Sequence, residues 1–247
     1  MSTDDTKTRL LDAAGPIFAE AGYDGATIRD ICKAAGVNVA SVNYYFGDKQ
    51  RLYVDAVKTA HRQTVERIPQ PDFGPDMTPE DKLRALIQMM IQRMLASHPA
   101  PWQLRLVMRE VLHPSEAGRE LVEDYFRPIF NLLVEIVGEL LPASTSREVK
   151  HRVAFSIVGQ CVYHRIARDV VTILLSQEEM ELHYTPDRLA KHIFEFSLGG
   201  LRAVAARSCG EACESADDES QSGRAPVAAS SHRGQFPDSP SEREPST

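Results

Sequence analysis

The sequence predicts an all-α fold, with a short N-terminal helix-turn-helix domain, a larger helical domain and a disordered tail, and three observations carry that prediction. Apolar residues return at steps of three and four through nearly every segment up to residue 207, the spacing that gathers them on one helix face. No alternating strand pattern of useful length interrupts them. From about Ser208 the composition turns to Ser, Pro, Gly, Glu and Asp, with Phe236 as the single large hydrophobe, too little apolar surface to offset the entropy of ordering.

Taken in order, residues 6–22 read as a first helix, because Leu10, Ala14, Ile17, Phe18 and Ala21 share a face and Gly22 supplies a C-terminal stop. Thr27 is placed as the N-cap of a short second helix, whose apolar face is Ile28, Ile31, Ala34 and Ala35 and whose end is Gly36. Asn38 caps a third over 39–45, and Asp48 a fourth from Lys49 through Leu52, Val54, Ala56, Val57 and Ala60. Residues 69–79 hold four prolines and a glycine, which no regular element tolerates. They separate a domain over 1–68 from one over 79–207, with the tail at 208–247. In the second domain helices are expected over 79–98, 102–113, 115–141 with a bend at Pro128, 146–176 and 186–207.

With 247 residues, 43% of them hydrophobic and 26% charged, the chain can bury a real core and lies far from disordered or disulfide-scaffold compositions. No stretch approaches about eighteen consecutive apolar residues, and Met1-Ser2-Thr3-Asp4-Asp5 lacks the basic and then apolar run of a signal peptide, so a cytoplasmic chain without a membrane partner is expected. Cys32 and Cys161 sit singly in apolar patterns and read as small buried hydrophobes. Cys209 and Cys213 lack the His or third Cys that would complete a metal site. The net charge is −7, but the last forty residues hold eight acidic residues against three arginines, whereas residues 6–68 carry nine Lys and Arg against seven Asp and Glu. Charge therefore permits nucleic-acid binding without advertising it.

The informative stretch is Thr27 to Lys49. Two short helices joined by a tight turn at Gly36 are helix-turn-helix geometry, in which the second helix enters the major groove. Val37 and Val42 can plug the space between the helices, leaving Val39, Ala40, Ser41, Asn43 and Tyr44 to face outward. Small Ala40 and Ser41 admit the helix to the groove, Val39 and Ala40 suit thymine methyls, and Ser41 and Asn43 can hydrogen-bond base edges or phosphate. Thr27 and Lys49 stand at helix N-termini, where backbone amides favour an anion, and Tyr45 can present a hydroxyl. The plain alternative is a buried helix pair.

The string Gly36-Val37-Asn38-Val39-Ala40-Ser41-Val42-Asn43-Tyr44-Tyr45-Phe46-Gly47-Asp48-Lys49, followed by Leu52-Tyr53 and preceded by Phe18, Gly22-Tyr23 and Thr27-Ile28, resembles the DNA-binding domain of the TetR family over roughly residues 6–55. The resemblance implies phosphate contacts from Thr27, Tyr45 and Lys49, a recognition helix over 38–44 and a homodimer on double-stranded operator DNA. Asn43 stands where that family commonly has Tyr, and Tyr45 where it frequently has His, so whether Asn43 or Tyr44 reads a base stays open. Met108-Arg109-Glu110, Gly159-Gln160-Cys161 and Pro186-Asp187-Arg188-Leu189 through Phe196-Ser197-Leu198-Gly199-Gly200-Leu201 are similar to the CecR-like branch, which implies a helical C-terminal effector domain.

Family dimers use the last two long helices, and two wide apolar stripes suit that arrangement: Val153, Ile157 and Cys161 in one, Phe194, Leu198 and Leu201 around Gly199-Gly200 in the other. Polar or aromatic residues on otherwise apolar helices are the candidate contacts of a small apolar or aromatic effector: His98, Trp102, Arg105, Met108, Arg109, Tyr125, Phe130 and His164. Each also has a structural reading, Trp102 as core and Arg105 or Arg109 as a partner of Glu110 or another carboxylate. No Gly-rich phosphate loop, Gly-x-Ser-x-Gly or His-Glu-x-x-His occurs, and the pairs His151/His164 and His183/His192 have no carboxylate or Cys at ligand spacing. A regulator without enzymatic activity, metal or cofactor is the expectation, with a helical protein-interaction module as the alternative.

Overall fold

The computed structural model describes residues 3–95 and 102–221, with side chains over 5–95 and 102–207. The chain forms two units, Met1–Cys209 and Gly210–Thr247, and the account below concerns the first.

Four helices open the chain: α1 (Thr3–Gly25), α2 (Ile28–Ala35), α3 (Ala40–Phe46) and α4 (Lys49–Arg67). Gly22 breaks α1 with φ 72° and ψ 179°, a conformation that favours glycine. Thr27 caps α2 by accepting from the Asp30 N–H at 3.1 Å, and Asp48 caps α4 by accepting from the Arg51 N–H at 2.7 Å. The loop over 69–78 leads to α5 (Pro79–Leu95), α6 (Trp102–Leu112) and α7 (Glu116–Leu121). A π-helical turn (Val122–Phe126) then runs into α8 (Arg127–Leu140).

The bend expected at Pro128 takes the form of that π-turn. The Arg127 N–H reaches back five residues to the Val122 carbonyl, widening the helix just ahead of a residue with no N–H to donate. The helix expected over 146–176 is two, α9 (Arg147–Ile166) and α10 (Arg168–Leu174), broken at Ala167 (φ −90°, ψ 12°). A further helix, α11 (Gln177–His183), begins in a capping box: Ser176 Oγ accepts from the Glu179 N–H at 3.2 Å and Glu179 Oε2 from the Ser176 N–H at 2.9 Å. The last helix, α12 (Pro186–Gln221), continues past Ser208, where the tail was expected to begin, and residues 222–247 of that tail lie outside the described residues.

Two apolar cores result, and the loop at 69–78 does not partition them. The first joins Leu10, Ala14 and Phe18 of α1, Ile31 and Cys32 of α2, Val42 and Phe46 of α3 and the inner face of α4 to Leu106 and Val107 of α6 and Ala117 and Leu121 of α7. The second joins Leu83, Leu86, Ile87 and Ile91 of α5 to Leu133 and Ile136 of α8, Ala154, Ile157 and Cys161 of α9, and Ile193, Phe194 and Leu201 of α12. Helices α6 and α7 follow the loop in sequence, yet their apolar faces complete the core of the first four helices. Cys32 and Cys161 are free and buried, as expected, and burial pushes the Cys161 thiol up to about 12. Among the described residues no helix is long and apolar enough to cross a membrane.

A candidate DNA-binding face and the polar seam behind it

The turn between α2 and α3 is set by backbone geometry. Gly36 adopts the left-handed conformation (φ 64°, ψ 39°), its N–H bonding the Lys33 carbonyl at 3.2 Å and the Val37 N–H bonding the Cys32 carbonyl at 3.0 Å. Arg9 of α1, which sequence reasoning did not single out, closes over this turn with Nη2 donating to the carbonyls of Ala35 at 2.5 Å and Gly36 at 3.2 Å. A cation at the carbonyl end of a helix is favoured by the dipole, but from sequence the only sign was a basic residue in another helix.

Helix α3 is anchored from below by Val42 and Phe46, both buried, with Val37 packed beside them. Asn38 Oδ1 accepts from the Ala40 N–H at 2.8 Å and starts the helix. Asn38, Val39, Ala40 and Asn43 are exposed, Ser41 and Tyr45 half-buried, and Tyr44 is 77% exposed with its ring edge-on to that of Tyr45. Lys49, at the first position of α4, is half-buried with Nζ 4.6 Å from the centre of the Tyr23 ring. The Thr27 hydroxyl donates to Asp30 Oδ2 at 2.6 Å, closing the cap on its own helix.

Behind this face α4 meets α6, α7 and the π-turn along a polar seam. Buried Glu110 of α6 accepts from Tyr53 Oη at 2.5 Å through one oxygen, and from Ser115 N and Oγ at 2.9 and 2.7 Å through the other. Lys58 bridges Glu120 (2.9 Å) and Asp124 (2.6 Å), and Arg51 also reaches Glu120 at 2.9 Å. The hydrogen bonds that Lys58 donates to Asp124 and Glu120 raise its pKa well above the ordinary lysine range. One turn further, buried His61 lies 4.7 Å from the Tyr125 ring and 5.4 Å from the Phe126 ring, both on the π-turn. Burial, then the neighbouring Arg93 charge, pushes His61 down to about 4.

The effector candidates do not converge. His98 lies outside the described residues. Trp102 packs on the first core, its ring over Gly15, so close that a Cβ there would clash. Arg105 forms an exposed ion pair with Glu20 at 2.6 Å, and Met108 is buried. Arg109 lines a cavity of about 250 Å³ together with Tyr53 and Glu110, its guanidinium against Gly22. Tyr125 belongs to the seam, whereas Phe130 packs with Phe155 at 4.6 Å and His164 sits beside Tyr163. The surface depression of about 630 Å³ between the 69–78 loop and α5 is lined by none of these eight. Arg93 and His61 are two buried polar residues that sequence reasoning missed, because neither belongs to a motif.

Most of the expected dimer residues pack inside the chain itself. Ile157, Cys161, Phe194 and Leu201 are inside the second core, and Val153 and Leu198 are half-buried against it. A wide stripe on each helix met α5 and α8 of the same chain, which the sequence pattern could not distinguish from a second copy. The apolar side chains that do face solvent on these helices are Phe155 (62% exposed) and Phe196 (65% exposed), with Tyr163 and Ile166.

Two family models match the chain: bacterial regulatory proteins, tetR family, over residues 10–56, and the C-terminal domain of the HTH-type transcriptional dual regulator CecR over residues 79–201. The chain is 28% identical to the probable HTH-type transcriptional regulator YttP of Bacillus subtilis over 136 residues, 53% of this chain and 63%, under two thirds, of that protein. It is 28% identical to the HTH-type transcriptional dual regulator CecR of Shigella flexneri over 184 residues, 68% of this chain and 78% of that one. A crystal structure of a tetR-family regulatory protein from Rhodococcus superposes with a TM-score of 0.57 at 18% identity, covering 81% of this chain and 96% of that chain, which speaks for the fold. With both halves matched and the helix-turn-helix in place, the chain belongs to the TetR family of DNA-binding transcriptional regulators, in its CecR-like branch.

Proposed function

We propose that the protein is a ligand-responsive repressor that binds a palindromic operator as a homodimer and releases it when a small apolar or aromatic effector occupies the helical C-terminal domain. The observation that carries this reading is the exposed face of α3, with Asn43 and Tyr44 bare above a buried Val42–Phe46 anchor. Thr27, Tyr45 and Lys49 flank it as phosphate partners; Thr27 does so by turning its hydroxyl from Asp30 to the DNA.

Dimerisation is supported by the solvent-facing side of α9 and α12. Phe155 and Phe196 stand out of it, and Gly159, Gly199 and Gly200 leave open space in which a partner backbone could approach. Two recognition helices about 34 Å apart would read half-sites one DNA turn apart, and a change in that spacing weakens binding.

Fluorescence anisotropy with the DNA upstream of the protein's own gene tests the reading. Sequence-selective binding that weakens steeply with salt, a two-fold symmetric footprint and a dimer in sedimentation support it. Absence of selective binding in the ligand-free protein overturns it, and a reporter assay gives the sign of regulation, with repression expected.

A further inference from the structure

The second core and the helix-turn-helix core meet around one uncompensated charge. Arg93, in the last turn of α5, is 7% exposed. Its Nε donates to the Ile68 carbonyl at the end of α4 at 2.9 Å, while Nη2 is buried with no partner among the described residues. Among the described residues no carboxylate pairs with it, and burial alone lowers its affinity for its proton. A guanidinium stays charged even so, and holding one in a low-dielectric interior without a counter-ion is costly. Natural cores rarely keep such a group unless something else completes it.

A second buried polar group and two aromatic rings lie near it. His61 of α4 is close enough for the Arg93 charge to depress its protonation, and it stays neutral near pH 7. The rings of Tyr125 and Phe126 pack on His61, and both belong to the π-helical turn, an irregularity found often at functional sites. The site thus has one fixed positive charge, one neutral imidazole and an aromatic wall.

We propose that Arg93 is the anion anchor of the effector site, and that the effector is a monocarboxylic acid whose apolar or aromatic body lies against His61, Tyr125 and Phe126. The inference rests on the ligand-responsive reading above and narrows it from any apolar molecule to an acid. A carboxylate oxygen can accept from the Nη2 donors left open on the guanidinium, and its charge cancels the single positive charge. A phosphate dianion would bring more charge than one guanidinium and a neutral imidazole can match.

The position also explains how occupancy reaches DNA. Arg51, Lys58 and His61 lie on one side of α4, held to α7 and the π-turn by Glu120, Asp124 and Tyr125. The other end of α4 carries Lys49 beside the recognition helix. A ligand that separates His61 from the π-turn tilts α4 as a rigid rod about 28 Å long, and the DNA-binding face moves with it.

The test compares octanoate and 4-phenylbutyrate with octanamide and 4-phenylbutyramide on the full chain at pH 7.5, by calorimetry and by displacement of the protein from its upstream DNA. The acids are expected to bind roughly tenfold or more tightly than the amides and to release DNA. In Arg93→Met that preference is expected to fall to about one, with ligand-free DNA binding kept and a melting midpoint no lower than the parent's. Amides that bind the wild type as well as the acids do, or acids that bind Arg93→Met undiminished, overturn the acid assignment and leave the ligand-responsive reading standing. Failure of both series to bind likewise overturns the acid assignment, while the ligand-responsive reading is tested separately by DNA release with a chemically broad panel. The wild-type comparison decides the matter even if Arg93→Met does not fold.

Discussion

Tyr53 Oη lies 2.5 Å from Glu110 Oε1, and this hydrogen bond joins the helix that leads out of the DNA-binding domain to the helix that first returns to it. Glu110 is buried, and its other oxygen is held by Ser115 N and Oγ, so the carboxylate has partners on both sides. Tyr53 packs edge-on against Phe18 and Tyr23, which fixes the direction of its hydroxyl. The pair therefore locks α4 to α6 in one register.

Removing the hydroxyl leaves one oxygen of a buried carboxylate without its donor. Tyr53→Phe is expected to cost about 1–3 kcal/mol of stability, lowering the melting midpoint by about 2–4 °C per kcal/mol in a chain of this size. Glu110→Gln should act in the same direction. The double variant should lose less than the two single losses together, because both act on one bond, and urea unfolding of the four proteins checks this.

Burial of His61 makes the fold sensitive to mild acid. Its folded pKa is about 4, below the ordinary value of 6.5, so the unfolded chain takes up the proton first as pH falls. The stabilisation is complete above about pH 6.5 and is lost as the pH drops towards 4. Between pH 7 and pH 5 roughly 2 kcal/mol should disappear from this group, on an order-of-magnitude basis. His61→Phe keeps a ring against Tyr125 and Phe126 and should flatten the profile in that window; an unchanged slope in urea unfolding would refute the assignment.

The α2–α3 turn offers a prediction about geometry rather than burial. Gly36 has positive φ, and a Cβ there would come within 2.9 Å of Arg9 Nη2. Gly36→Ala should cost about 1–2 kcal/mol and also weaken operator binding, because the turn sets the angle of α3. Arg9→Ala removes the clamp on the same carbonyls and should weaken binding in the same way. Combined, the two should fall short of additivity in thermal melts and anisotropy alike.

The motif from Thr27 to Lys49 was legible because local chemistry determines it: caps at Thr27 and Asp48, a positive-φ glycine at 36, and apolar Val37 and Val42 between the helices; Phe46, the second buried anchor of α3, was not singled out for that role. The C-terminal domain was legible as helices but not as a site. Periodicity reports that Ile157 or Phe194 is covered, not by what, and the covering surface was α5 and α8 of the same chain. The break at Ala167 has no glycine or proline to announce it, whereas the Ser176–Glu179 capping box was a readable signal for α11. Arg93 and His61 gain their meaning from burial and from each other across helices, which no spacing rule contains.

On DNA, Lys49 and Asn43 should separate. Lys49 carries charge without sequence information, so Lys49→Ala should weaken binding to all sequences and reduce the salt slope by about one per protomer. Asn43 and Tyr44 are the bare polar groups at the middle of α3. If Asn43 reads a base, Asn43→Ala changes the preferred operator in selection from random DNA while Tyr44→Ala lowers affinity without changing it; the reverse pattern assigns the readout to Tyr44.

The dimer face can be told from the core by where a charge is tolerated. Phe155 and Phe196 are mostly solvent-exposed in one chain, so Phe155→Glu or Phe196→Glu has little reason to disturb folding of a protomer. Placed in an interface between copies, the same carboxylate would be desolvated and opposed by apolar neighbours, and the dimer should dissociate with loss of operator binding. Ile157→Glu puts the charge in the second core and should instead unfold the protein. Circular dichroism and sedimentation equilibrium distinguish the outcomes: a folded monomer for the two exposed positions places the interface there, whereas a folded dimer that still binds DNA removes α9 and α12 from it.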